Sequence, residues 1–341
     1  MTAASSPRAV LPIQYLRGVA ALMVVFHHAR TPVRSLYSPW GDVTSGSRGV
    51  DIFFVISGFI MLMVARAEPP MEFAKRRAVR VVPMYWLATL LLVFVGPKFM
   101  GLEARPAGEI VKSLFFVPYA NPAYDGSLWP FLVPGWTLNY EVFFYAVFCL
   151  GLILKRVVLT CCSVIIALAV LGLLFHPEPV LLRFYTSFQL LEFAAGMLLG
   201  VAFQRWSLRG LWLLLPAGLL AVCFSDHFPF DRAEVLLLAS TATVLGALSL
   251  DRSFSLPPIP ILKLLGDASY SIYLTHLFAL SFGYHLFGRI PLAGWPQFLA
   301  FMAFALVFSS AVGIAVHLVV ELPVVRLLRR LTTPGAKAAV L

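Results

Sequence analysis

Apolar residues run through this chain in blocks of about twenty, separated by short stretches that gather many of the prolines and most of the charges. A bilayer core about 30 Å thick needs roughly 20 apolar helical residues to cross it. The blocks predict ten spans, at about 10–29, 49–66, 80–97, 136–154, 157–175, 183–204, 211–225, 233–250, 266–288 and 297–320. The block at 211–225 is short, so it is expected to extend or tilt. The one long interval, 98–135, holds Pro106, Pro118, Pro122, Pro130 and Pro134. Its apolar run at 110–117 is too short to cross and is expected to lie in the interface or re-enter. No internal repeat is evident.

Composition agrees with this pattern. The chain is 60% hydrophobic and 12% charged, where a soluble domain would carry roughly 25% charge. The expected fold is therefore an all-α polytopic membrane protein, one membrane domain over 1–341 with no fused soluble domain. The formal charge of +10 does not point to nucleic acid, because the basic residues sit mostly in short loops, where they set orientation and meet anionic headgroups. With the N-terminus inside, the inner loops carry 16 Lys and Arg and the outer loops nine, which predicts both termini in the cytoplasm. The first block lacks a small-residue cleavage site and reads as a retained helix. Cys149, Cys161, Cys162 and Cys223 form no CxxC pair or metal spacing and read as structural thiols. No metal site is expected.

The polar positions inside the apolar blocks carry the functional signal. Arg17 and His28 are eleven residues apart in the first block, which returns a helix to within roughly 20° and about 16.5 Å further along. They share a stripe with Ala21 and Val24, whereas His27 is turned about 80° away. Ionisable residues in a membrane helix are tolerated where they face a polar interior, and that interior is usually functional. With the predicted orientation, His28, Asp51 and Glu141 all fall in the outer third of the membrane. A carboxylate beside an imidazole suits a general base; for Asp51 the competing reading is a helix-end residue touching headgroups. The run Lys75-Arg76-Arg77-Ala78-Val79-Arg80 puts Arg77 and Arg80 on one face if helical. Arginine forks suit phosphate, although ordinary positive-inside charge accounts for the cluster taken alone.

Tyr273 and His276 share a helix face near mid-membrane. A buried, satisfied histidine is the competing reading there. Gln189 with Glu192, and His317 with Glu321, are spaced to join helices. Ser57 beside Gly58 reads as a packing serine. No GxSxG elbow, Walker loop, HExxH or Rossmann fingerprint stands in a credible context.

Five stretches, in order, resemble the acyltransferase-3 family of integral-membrane acyltransferases. They are Tyr15-Leu-Arg17 to His28, Gly49-Val-Asp51 to Ser57-Gly-Phe59, Arg77-Ala-Val-Arg80 with Pro83 and Tyr85-Trp86, Pro134-Gly-Trp136-Thr137-Leu138 to Glu141 and Tyr145, and Ser269 to His276. The opening resembles the branch that acetylates bacterial exopolysaccharides and lipopolysaccharides, which implies a multi-pass bacterial inner membrane protein. The resemblance implies acetyl-CoA or another acyl-CoA as donor substrate, with a sugar or lipid-linked oligosaccharide as acceptor. It further implies Arg17, Arg77 and Arg80, assisted by Arg76 or Lys75, as donor-binding residues. His28 would be the base, oriented by Asp51 or Glu141, with Trp136, Tyr273, His276 and Glu192 as secondary substrate-site residues. Direct transfer and a route through acyl-His28 both remain open. The polysaccharide synthesis machinery is a possible partner. The competing functions are a transporter of polysaccharide or lipid-linked intermediates and a non-catalytic partner of a polysaccharide synthase.

Overall fold

The computed structural model describes residues 10–30, 36–39, 48–228 and 232–332. Among them it is all-helical, with no β-strand. The helices are α1 (Leu11–Ala29), α2 (Gly49–Ala65), α3 (Pro70–Phe99), α4 (Ala107–Leu114), α5 (Gly135–Ile153), α6 (Val157–Phe175) and α7 (Val180–Tyr185). There follow α8 (Leu190–Arg205), α9 (Leu214–Cys223), α10 (Arg232–Ser253), α11 (Pro260–Asp267), α12 (Ser269–Phe287), α13 (Gly294–Val316) and α14 (Leu322–Thr332). Arg8, Arg34 and Lys337, part of the charge count, lie outside the described residues.

By length and composition, six segments are long and apolar enough to cross a membrane: Pro70–Phe99, Gly135–Ile153, Val157–Phe175, Val180–Arg205, Arg232–Ser253 and Gly294–Thr332. The chain is thus a multi-pass membrane protein. The expected spans at 49–66 and 211–225 are shorter apolar helices, Gly49–Ala65 and Leu214–Cys223. The helices bearing Arg17 and His276, each of 19 residues, fall outside the six. Their polar residues face the interior and lower their hydropathy, a pattern that a hydropathy window penalises.

Several boundaries differ for identifiable reasons. α3 begins ten residues before the expected span, because Pro69-Pro70 starts a helix at the turn after α2. The basic run 75–80 is consequently helical rather than a loop. The block at 183–204 is interrupted between α7 and α8, and the block at 266–288 between α11 and α12 at Ala268. α13 continues through a π-helical turn, His317–Glu321, into α14. In the long interval, α4 lies against α3, where the Trp86 indole donates to the Leu114 carbonyl at 2.8 Å.

Close helix crossings organise the bundle. On Gly58 of α2 a Cβ would stand 2.1 Å from the Phe193 carbonyl oxygen, and on Gly196 of α8 it would stand 1.9 Å from that of Val55. Only glycine at both positions lets the two backbones touch, as small residues do between membrane helices. α1 packs on α2, α11 and α12, and α3 packs on α5, α12 and α14. The space left between α1, α2, α3, α5 and α12 is the site described next.

Candidate active site

α1 carries Arg17 and His28 on one stripe, and between them Ala21 and Val24 are 0% and 2% exposed. The lower part of this stripe opens on a cavity of 160 Å³, space for about ten waters. Its polar lining comes from Arg17, Ser57, Arg77, Arg80, Thr137, Glu141, Tyr145, Ser269, Tyr270 and Tyr273. Five helices line this interior space, and three of them, α1, α3 and α5, bring three arginines and one glutamate to it.

Each cation is held differently. Arg17 donates to Gln14 at 3.0 Å, and the Gln14 amide donates to Asp267, which also pairs with Lys263 at 2.6 Å. Arg80 pairs with Glu321, whose side chain is 0% exposed. Glu321 also accepts from Ser271 at 2.7 Å and from His317 Nδ1 at 2.8 Å. The π-helical turn sets this arrangement, since it carries His317 and Glu321 together toward α3 and α12. Arg77 lies over the Phe73 ring at 5.9 Å and makes no ion pair with a carboxylate among the described residues. Arg76 lies outside the cavity lining and bonds Glu68 at 2.9 Å; Lys75 pairs with Glu72 at 3.5 Å.

Glu141 accepts from the Tyr145 hydroxyl and, at 3.4 Å, from Ser57. Ser57 therefore faces the cavity, and the packing role falls to Gly58 alone. Tyr270 lines the cavity and donates to the Val81 carbonyl at 2.7 Å.

His28 lies beyond the cavity lining, on the same face of α1. Tyr273 lines the cavity, its ring is 6.0 Å from that of His276, and the His276 ring is 4.9 Å from that of His28. Both imidazoles have a fixed tautomer when neutral. His28 Nδ1 is 3.0 Å from the Val24 carbonyl and His276 Nδ1 is 2.7 Å from the Tyr273 carbonyl. A carbonyl only accepts, so each Nδ1 carries the hydrogen and each Nε2 keeps its lone pair. His276 is 0% exposed, and its Nε2 has no hydrogen-bond partner among the described residues. The Tyr273 hydroxyl ties this end of α12 to α5, donating to the Pro134 carbonyl at 3.0 Å beside Thr137.

The expected grouping of His28, Asp51 and Glu141 divides into separate places. Glu141 is inside the cavity with the arginines. Asp51, 3% exposed, lies within electrostatic range of Glu192 of α8, and its Oδ1 and the Oε2 of Glu192 are both buried without a hydrogen-bond partner among the described residues. No hydrogen bond or ion pair links His28 to a carboxylate among the described residues, and its carbonyl accepts from Tyr284 at 2.8 Å. The reason is rotational: Asp51 sits on the face of α2 turned to α8, whereas His28 sits on the face of α1 turned to α12. Trp136 packs against Phe54 and Tyr140, outside the lining. Among the described residues no three His, Cys, Asp or Glu side chains are grouped as metal ligands.

Sequence reading missed the Arg80–Glu321 pair, because the two residues are 241 apart. Spacing within one helix could have found Tyr145 as Glu141's partner, since the two are i and i+4.

Comparison with known proteins adds an independent line. The family profile described as an acyltransferase domain (acyltransferase-3) matches residues 11–314. The chain is 37% identical over 298 residues to the exopolysaccharide production protein ExoZ of Rhizobium meliloti, covering 83% of this chain and 90% of that protein. It is 26% identical over 322 residues to the acyltransferase MdmB of Streptomyces mycarofaciens, covering 84% and 83% respectively. A shorter match, 28% over 148 residues, covers 40% of this chain and 35% of a putative membrane-bound transacylase, BcsY, of Komagataeibacter xylinus. No solved structure matches significantly. A profile that takes in all five cavity-forming helices, with a relative alike over nine-tenths of its own length, leads to one conclusion: the chain belongs to the acyltransferase-3 family and is a multi-pass membrane acyltransferase.

Proposed function

We propose that this protein transfers an acyl group, most simply acetyl, from cytoplasmic acyl-CoA to a hydroxyl of an exopolysaccharide unit at the bacterial inner membrane. The observation that carries the reading is the arginine-lined cavity inside an apolar bundle, whose far end approaches the His276–His28 pair. Three guanidinium groups in low-dielectric surroundings favour an anionic donor. The positive-inside bias supports a ten-span arrangement with both termini, and the arginine end of the cavity, on the cytoplasmic side. One membrane domain would then contain the whole activity.

In this mechanism Arg77 and Arg80 hold donor phosphates, and the pantetheine arm rises past Arg17 and Glu141 toward Tyr273. The lone pair on His28 Nε2 accepts the proton of the acceptor hydroxyl. The hydroxyl oxygen attacks the thioester carbonyl, the carbon–sulfur bond breaks, and the thiolate of CoA leaves to be protonated. His276 and the Val24 carbonyl hold the His28 ring, the role first expected of Asp51 or Glu141. The buried location excludes water that would hydrolyse the thioester. ExoZ, named for exopolysaccharide production, supports a polysaccharide acceptor and a place beside the synthesis machinery.

The test uses purified protein in lipid nanodiscs with acetyl-CoA labelled in the acetyl group. Label should move to an exopolysaccharide repeat unit, with one free thiol released per ester formed. Absence of both thiol release and label transfer across a panel of lipid-linked and free oligosaccharides would sink the assignment.

A further inference from the structure

The charge pairing at the cytoplasmic end of the bundle is incomplete. Arg80 has Glu321 and Arg76 has Glu68. Among the described residues Arg77 has no carboxylate partner, and its Nε is buried without any hydrogen bond. A second arginine shares that condition. Arg329 belongs to α14, which packs on α3, and its Nε is likewise buried and unpartnered. Arg329 lies within electrostatic range of Arg76, Arg77 and Arg80.

The placement of Arg329 follows from helix geometry. Val325, 2% exposed, is the buried anchor of α14, and Arg329 is four residues on, over the same face. Arg326 and Arg330 are exposed, turned about 60° and 100° from Arg329 round the same helix. Like charges drawn together in a partly buried place raise the free energy of the empty protein. A bound anion relieves that repulsion and supplies acceptors for the unused donors. Arginine forks match phosphate oxygens in pairs.

We propose that Arg329, which lies beyond the segment matched by the family profile, joins Arg77 and Arg80 in one phosphate-binding site at the cytoplasmic mouth of the cavity. The site takes a phosphate of the nucleotide part of the thioester donor. This rests on the acyl-CoA reading above and adds a residue and a ligand group to it.

The experiment compares the parent protein with Arg329→Gln and with the exposed neighbour variant Arg326→Gln, in nanodiscs of zwitterionic lipid. Three probes are used: acetyl-CoA, acetyl-pantetheine, which has the thioester arm without the nucleotide, and adenosine 3′,5′-bisphosphate measured by calorimetry. With Arg329→Gln the KM for acetyl-CoA should rise roughly tenfold or more, with kcat little changed. KM for acetyl-pantetheine should stay at the parent value, and bisphosphate affinity should fall in step with that for acetyl-CoA. Arg326→Gln should behave as the parent.

An unchanged KM and an unchanged bisphosphate affinity in Arg329→Gln would overturn the proposal. So would an equal loss with acetyl-pantetheine, which marks a structural role, or an equal loss in Arg326→Gln, which marks surface charge. A defect that appears only in anionic nanodiscs would assign Arg329 to lipid headgroup phosphate instead. Binding separates this site from the activity: a parent that binds the bisphosphate through Arg329 but consumes no acetyl-CoA would refute the acyl-transfer reading and keep the phosphate site.

Discussion

Replacing His28 by alanine tests the centre of the mechanism. The structure gives the ring one strong local restraint, the Nδ1 contact to the Val24 carbonyl, and one tertiary neighbour, the His276 ring at 4.9 Å. α1 is anchored elsewhere, through Ala20, Ala21, Val24 and Val25, each at most 2% exposed. Loss of the partly buried imidazole should therefore cost stability on the order of 1 kcal/mol, too little to unfold the bundle. The catalytic loss should be far larger. A positioned general base contributes about 10²–10⁴-fold, or about 2.7–5.4 kcal/mol of barrier at 1.36 kcal/mol per decade. The assay is thiol release from acetyl-CoA with acceptor present, run beside thermal unfolding in the same detergent. The expected result is a fall in kcat of at least about a hundredfold, with unfolding close to the parent's. Parental turnover in a folded His28→Ala protein would refute the argument, because the Nε2 lone pair would then have no chemical duty. His276→Ala offers a graded comparison: it should lower kcat by less, since it removes a ring that holds His28 rather than the base.

Three further outcomes follow from the same geometry. The double variant Arg77→Ala, Arg80→Ala should raise the KM for acetyl-CoA with a smaller effect on kcat, as donor titrations would measure; an unchanged KM would leave those arginines as orientation charges. Glu321→Ala strands Arg80, His317 and Ser271 beside a fully buried position, so it should destabilise the bundle by about 3–5 kcal/mol, read as loss of folded protein on size-exclusion chromatography. Gly196→Ala forces a methyl onto the Val55 carbonyl oxygen and should cost about 1–3 kcal/mol, seen as a lower unfolding temperature in the parent detergent.

The parts of the architecture legible in the sequence were those written in one helix. The Arg17–His28 stripe needed only the helical repeat, and α1, α2, α5 and α6 begin and end within a residue or so of the apolar blocks that predicted them. Relations between helices were not legible. Glu141 was expected beside His28 because both were assigned to the same depth, but depth leaves rotation about the helix axis undetermined. The rotation of α5 turns Glu141 to Ser57 and the arginines. The π-helical turn before α14 was invisible for a related reason: it changes the phase of the helix by inserting one residue per turn, and hydropathy is blind to phase. That turn brings Glu321 to Arg80.

The distribution of charge gives the cavity its sense of direction. At the Pro70 end of α3, arginine outnumbers its carboxylate partners, and Arg77 is left unpaired. Further along, Glu141 stands opposite Arg17, with Ser57 and Tyr145 directing their hydroxyls to it. Beyond Tyr273 the side chains are imidazoles with carbonyl-fixed tautomers and no formal partner. In the proposed reading, the head of a ligand with a polyanionic head and a long neutral arm is drawn to Arg77 and Arg80. The arm would then extend toward Tyr273, whose ring is followed by those of His276 and His28. On the proposed reading, the arginines that would hold the anionic head of the donor also direct its neutral arm toward Tyr273 and the histidines.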